Sequence, residues 1–356
     1  MKTKKIPSFY IFLLILTIIV IVLTQIGKSL LKDVLVEYED SQYKYVAEDF
    51  FNSNFADGNS ETLAKLFTSQ VSEYETEETI AAYLSAIISG KGFTLQHSSS
   101  GLSDEEKYVV SVDNLRFAEF YISKSGEKTE HGFDIYSVSK VLLNDNLLNS
   151  YSIEIPIGYT VNINGRSADA KYALVDKVET ESQNFMPEGV EGIVYTTYTF
   201  PNMCTAPTFT VLDGNGTETT VTLNDNGIYH ADVVYNTELA AEYSEYVIAA
   251  TKAYACYMQK DASFSKVQGY IDPASEFYSY VRGTPTWPVI THNSYAFEDE
   301  TVTEFYAYSD DVFSCRIKLT HVLKYSGLDD YRDSIDITWY FRNVNGKYLI
   351  YDSFTH

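Results

Sequence analysis

The strongest constraint in this sequence is an 18-residue stretch, residues 9–26, that has no charged side chain and only Thr17, Thr24 and Gln25 as polar interruptions. Wound as an α-helix it covers roughly 27 Å, close to the roughly 30 Å hydrocarbon core of a bilayer. The run predicts an uncleaved transmembrane helix. A cleavable signal carries a shorter apolar region followed by a small-x-small site, and the residues from Thr24 to Leu30 make a poor one. No cysteine follows the run to accept a lipid, since the first in the chain is Cys204. Lys2, Lys4 and Lys5 give residues 1–8 the character of a cytoplasmic basic head, which places the rest of the chain outside the cytoplasm. Lys28 and Lys32 lie on the distal flank, but a tail of this length crosses largely regardless of local charge.

The net charge of −23 understates the acidity of the exported part. All five basic residues before Asp33 belong to the anchor region, leaving 21 basic against 49 acidic residues, about −28. Such a field repels nucleic-acid phosphates and anionic lipid heads, and also keeps a surface soluble. Cys204, Cys256 and Cys315 are an odd number without C-x-x-C or zinc spacing. Cys256 and Cys315 either pair in an oxidising exterior or, like Cys204, stay as buried thiols.

Roughly 320 exported residues suggest two or three domains, and the periodicity divides them into three. Residues 38–56, a segment capped by Ser60 and a segment opened by Thr76 read as helices, after which residues 108–112, 117–123 and 133–143 alternate as strands. An α+β domain is expected over residues 38–148, with helices packed on an antiparallel sheet. Residues 151–236 read as an all-β, sandwich-like module, with Asn164-Gly165 as a hairpin turn. Residues 238–356 repeat the first plan. A long helix over 239–260 and two short ones precede strands over 302–308, 312–325, 334–344 and 347–354, the last pair joined at Asn345-Gly346.

A long helix, two shorter ones and a terminal antiparallel sheet resemble the cone-shaped nuclear-transport-factor-two-like fold. Leu239-Ala240-Ala241-Glu242-Tyr243, Lys260-Asp261-Ala262-Ser263, Tyr270-Ile271-Asp272-Pro273 and Ser275-Glu276-Phe277-Tyr278 look like the C-terminal domain of teicoplanin-resistance-associated (TcaA-like) membrane proteins. Ile153-Glu154-Ile155-Pro156-Ile157-Gly158-Tyr159, continuing to Gly165, is similar to the β module that precedes such domains in cell-envelope proteins of Gram-positive bacteria. The resemblance implies two cone-like α+β domains flanking the β module, carried outside the cell membrane on a single-pass anchor. It also implies an antibiotic-resistance context. The cytoplasmic zinc ribbon that usually opens members of that family has no counterpart before the apolar run here.

The resemblance and the lack of an enzyme motif predict a non-enzymatic, extracytoplasmic protein that binds a cell-wall polymer, a glycopeptide-like compound or a membrane protein, with no nucleic-acid partner. A small-molecule-binding or enzymatic cone is the alternative, and a structural spacer is a third. No cofactor or metal motif occurs. Asp213-Gly214-Asn215-Gly216-Thr217-Glu218 has oxygen ligands at alternate positions, but Glu218 and Asn224 stand where a calcium loop needs glycine and glutamate, so it reads as a hairpin turn. The candidate ligand-binding residues are Trp287, in Pro285-Thr286-Trp287-Pro288, and His292, His321 and Asp336, all three expected on strands. Histidine or carboxylate in an apolar cavity can exchange protons, and an exposed aromatic ring can stack on a sugar or proline. Either a structural or a ligand-facing role fits each, because alternation alone does not say which face of a strand is inward.

Overall fold

A computed structural model describes residues 8–98, 105–283, 289–327 and 329–356. The lysines of the basic head, Lys2, Lys4 and Lys5, lie outside the described residues. Helix α1 (Ser8–Asp40) carries the apolar run and continues to Asp40. Residues 9–26 are exposed throughout, and α1 is, among the described residues, the one helix long and apolar enough to cross a membrane. Its two threonines suit an apolar surrounding, because Thr17 Oγ1 donates to Leu13 O (2.8 Å) and Thr24 Oγ1 to Val20 O (2.7 Å), so neither hydroxyl is left unpaired.

The helix expected from residue 38 does not start there. Residues 38–40 complete α1, the chain breaks at Ser41, whose hydroxyl donates to Tyr38 O (2.8 Å), and α2 (Tyr43–Asn54) resumes. Helix α3 (Ser60–Phe67) is capped by Asn59, one residue before the expected Ser60, because the Asn59 side chain accepts from the amides of both Glu61 and Thr62. Thr76 caps α4 (Glu77–Ile88) in a reciprocal box with Thr79. The antiparallel meander β1 (Phe93–His97), β2 (Glu106–Val112), β3 (Leu115–Lys128) and β4 (Asp134–Leu143) follows in sheet order. Phe55, the C-cap of α2, and Leu63, Phe67 and Leu84 from the helices meet Val110, Phe117, Phe120 and Ile122 from the sheet in one buried core.

The chain divides into two compact units, residues 1–151 with 200–207 and residues 152–199 with 208–356. Glu75 shows why the short 200–207 segment belongs to the first. Its Oε1 accepts the amides of Cys204 (3.0 Å) and Thr205 (3.1 Å), and its Oε2 accepts the Thr79 hydroxyl (2.8 Å).

Strands β5 (Asn149–Pro156), β6 (Thr160–Ile163), β7 (Arg166–Ser167), β8 (Ala173–Glu179), β9 (Val194–Met203), β10 (Phe209–Leu212), β11 (Glu218–Thr219), β12 (Val221–Leu223) and β13 (Tyr229–Ala231) make up the β module. They form a four-stranded sheet in the order β11-β10-β6-β7 and a five-stranded one in the order β12-β13-β5-β9-β8. Asn164 and Gly165 hold φ values of 51° and 77°, the pair of positive angles a type I′ hairpin requires. The Asp213 carboxylate accepts the amides of Asn215 (2.9 Å) and Thr217 (2.7 Å), so it closes a turn.

The end of the chain repeats the helix-then-meander order, with α5 (Thr237–Met258), α6 (Phe264–Val267), α7 (Glu276–Gly283), β14 (Ser294–Ser309), β15 (Val312–Lys324), β16 (Tyr331–Val344) and β17 (Lys347–Thr355). Cys315, Ile317 and Leu319 on β15 and Ile337, Trp339 and Phe341 on β16 pack with Val247 and Ala250 of α5. Odd-numbered positions of β15 and β16 therefore face the helices, and even-numbered ones face away. Trp339 Nε1 donates to Thr251 Oγ1 of α5 (2.9 Å), which satisfies the buried indole. Cys204, Cys256 and Cys315 are all buried free thiols.

Candidate functional site

The end of α5 shapes the site. Gln259 is the C-cap, and Lys260 takes a left-handed φ of 68°. The amide of Lys260 donates to Tyr257 O (3.1 Å) and that of Asp261 to Cys256 O (2.8 Å), the two bonds of a Schellman stop. That reversal brings Asp261 Oδ2 to 3.0 Å from His292 Nε2. Glycine is the residue that usually takes this angle, because a Cβ costs roughly 1 kcal/mol there. Lys260→Gly is therefore expected to raise the stability of the second unit by about 1 kcal/mol in a urea titration, and a loss of stability would contradict the strain argument.

Between the last turn of α5 and the helix-facing side of β15 and β16 lies a cavity of about 130 Å³. Tyr254, Ala255, Met258 and Gln259 line it from the helix, and His321, Asp333, Ile335 and Ile337 from the strands. His321 is fully buried, yet no protein group reaches hydrogen-bonding distance of either ring nitrogen among the described residues. Its ring stacks on Phe297, the neighbour across β14 (4.5 Å, 14°), and meets the edge of Tyr295 (5.7 Å). On its other side it is opposite Asp333 in the β15–β16 register. Leaving two polar atoms of a core side chain unsatisfied costs roughly 1–3 kcal/mol per group. A residue kept for packing alone would gain by being apolar.

Burial holds the His321 pKa below the usual histidine value, while Asp333 and Asp261 pull it up and His292 pulls it down. The imidazole is thus neutral at pH 7, with one nitrogen a donor and the other an acceptor. Because the unfolded chain takes up a proton below about pH 6.5 and the folded one resists it, stability falls as pH drops below that value. His321→Leu should remove that fall between pH 7.5 and 5.5 and leave stability at pH 7.5 unchanged or higher. Wild-type and variant urea midpoints at the two pH values test this. A marked loss for the variant at pH 7.5 would assign His321 a structural bond instead.

The sequence candidates converge only in part: His292 and His321 both pack against Tyr295 (6.4 and 5.7 Å), whereas the Asp336 carboxylate faces elsewhere. His292 precedes β14 instead of lying on a strand, because its ring is drawn to Ile290 O (2.7 Å) and Asp261. Asp336 is on β16 but at an even position, so its carboxylate points away from His321. There it accepts Arg316 Nε (2.7 Å) and Nη2 (2.8 Å) and pairs with Lys318 (3.2 Å). The Arg316 hydrogen bonds, with Lys318, hold its pKa near 2, so it is a fixed anion already occupied. Asp336 also lines the cavity, and its backbone O accepts the His356 amide (3.0 Å). Trp287 lies outside the described residues.

Asp333, Gln259 and Tyr254 escaped the sequence reading. The alternation of β16 names Asp333 as a face-mate of Ile335 and Ile337, but only the register places it opposite His321. Gln259 is 4% exposed and its Oε1 accepts the Ile290 amide (2.9 Å), which ties the segment before β14 to the end of α5. Among the described residues no group of three or more His, Cys, Asp or Glu is placed to hold a metal ion.

No protein-family model matches the chain, and no curated protein matches its sequence. Among solved structures, an Ntf2-like protein involved in plasmid conjugation aligns over 86% of this chain and 96% of its own length, at 8% identity and a TM-score of 0.23. A similarity at that level carries no argument about fold or activity.

Proposed function

We propose that this chain is a membrane-anchored extracytoplasmic binding protein whose C-terminal segment is a cone-like, nuclear-transport-factor-two-like domain that takes one small ligand beside His321. The carrying observation is a fully buried imidazole, without a protein partner, facing a cavity. A ligand that hydrogen-bonds one ring nitrogen after a small shift of the ring would relieve part of that cost, and Asp333 supplies a further polar group in the lining. The cavity's size sets the class. About 130 Å³ is close to the roughly 150 Å³ of an engineered cavity that takes up benzene, so it suits a single ring or its equivalent. A wall polymer or a glycopeptide is far larger and would reach this site only with an end group. That favours the small-molecule alternative over recognition of a long polymer here. The anchor half of the proposal rests on α1, whose apolar side chains are left exposed. The extracytoplasmic orientation rests on the basic head.

A screen of single-ring fragments bearing a hydrogen-bonding group, phenol among them, tests the reading by thermal shift on the intact chain in non-ionic detergent. At least one fragment is expected to raise the melting temperature of the wild type and not of His321→Leu. A set in which every hit stabilises both proteins equally, or in which there are no hits, would overturn it.

A second reading follows from the same residue. A neutral buried imidazole is a competent general base, and Asp333 opposite it could stabilise the protonated form, so proton abstraction from a bound ligand is chemically available. Exchange of an acidic ligand proton with deuterium, catalysed by the wild type and absent in His321→Leu, would favour this reading over binding alone.

A further inference from the structure

We infer that the face of the C-terminal sheet turned away from α5 carries a second site, a tyrosine-walled acidic cleft that binds an organic ammonium cation. The register builds its floor. Tyr306 of β14, Ser314 of β15 and Tyr340 of β16 are cross-strand partners in one row, and all lie on the even-numbered face. Tyr308 joins them, with its hydroxyl 3.1 Å from Ser314 Oγ and its ring 4.9 Å from Tyr306 and 6.4 Å from Tyr340. The second wall is the 3-10 turn Glu181–Phe185 of the β module. Phe185 stacks on Tyr340 at 4.6 Å and 12°, and its carbonyl accepts the Tyr351 hydroxyl (2.7 Å), so the turn is held against the sheet. Tyr235, from the segment that leads into α5, completes the lining.

The cleft measures about 340 Å³, within the range of small-molecule sites. Among the described residues that line it none is Lys or Arg, whereas Glu181 and Glu304 both do. Arg316 is turned to Asp336 by two hydrogen bonds of 2.7 and 2.8 Å and also pairs with Glu304 Oε1 at 3.4 Å, so Glu181 is the lining carboxylate with no cation paired to it among the described residues. Glu304 lies at a break in the β14–β15 register, with a φ of 57°. Bulges re-aim side chains, and a non-glycine residue in that region is strained, a combination found where a side chain is positioned for use. Burial raises the pKa of Tyr235, Tyr306, Tyr308 and Tyr340, so the four present neutral rings at physiological pH.

Neutral phenol rings have a negative face, and a cation over several of them is attracted without needing to donate a hydrogen bond. Glu181, with a smaller contribution from the Arg316-paired Glu304, adds long-range attraction and rejects anions. A neutral polyol would use the hydroxyls but gain nothing from the charge. An alkylated ammonium group uses both the rings and the acids.

The test is calorimetric titration of the full chain in a non-ionic detergent with choline and with 3,3-dimethylbutan-1-ol, its neutral carbon counterpart. Choline should bind in a saturable, one-to-one manner, roughly tenfold more tightly than the alcohol. Tyr235→Ala and Glu181→Gln, both at exposed positions, should each weaken choline several-fold with an unchanged circular dichroism spectrum, and Tyr235→Phe should retain binding. Equal affinity for the two compounds, no saturable choline binding, or choline binding that survives both Tyr235→Ala and Glu181→Gln would each overturn the inference.

Discussion

Trp339→Ala is expected to weaken the second unit by about 4 kcal/mol while leaving the unfolding of the first unit in place. The side chain is fully buried, with Tyr254 (5.3 Å) and Phe277 (5.7 Å) set edge-on to its ring. Removing it opens a cavity at the centre of the α5–sheet core and also deletes the Nε1–Thr251 bond. Thr251 still donates to Val247 O (2.8 Å), so the added polar cost is small and the cavity term dominates. Because the chain divides into two compact units, a urea titration of the full chain followed by circular dichroism should show two transitions, only one of which shifts. A change below about 1 kcal/mol, or a shift of both transitions together, would mean that the core does not rest on this indole or that the units unfold as one.

Removal of residues 1–32 is expected to move the protein wholly from the membrane to the soluble fraction. Residues 9–26 contain fourteen Leu, Ile, Phe or Val residues, each of which favours insertion by roughly 0.3–0.6 kcal/mol at a helix centre, so the sum is several kcal/mol. Among the described residues nothing covers these side chains, which are exposed along the whole run. The intact chain should resist extraction by alkaline carbonate, and the truncated one should stay in the supernatant at neutral pH. Membrane association that persists after truncation would mean that another surface binds lipid. A tag fused after His356 should be reachable from outside the cell, and a cytoplasmic tag would reverse the proposed orientation.

The candidate site shows where sequence reading stops. His321 is legible as a histidine inside a strong alternating run, and the alternation of β16 is equally clear. Neither pattern says which of the two faces is inward, because a strand's period of two is symmetric until something covers one side. Once α5 covers the odd-numbered face, His321 becomes a buried cavity residue and Asp336 a partner of Arg316 on the opposite side. The same placement makes Asp333 the neighbour of His321, a pairing that depends on register alone.

Elements set by contacts a few residues apart were open to the sequence. The apolar run, the Asn164-Gly165 and Asn345-Gly346 turns and the Thr76 cap all follow from local chemistry, and the φ values of 54° and 82° at the last turn are those its residues prefer. Tertiary structure decided the rest. The Schellman stop at Lys260 lacks the glycine that would have announced it. The segment 200–207 joins the first unit because Glu75, more than 120 positions earlier, accepts its amides. The tyrosine cleft exists because a turn near residue 181 is held against strands more than 120 positions later. In each case the deciding interaction links residues that are distant in sequence, and their proximity is a property of the packed fold.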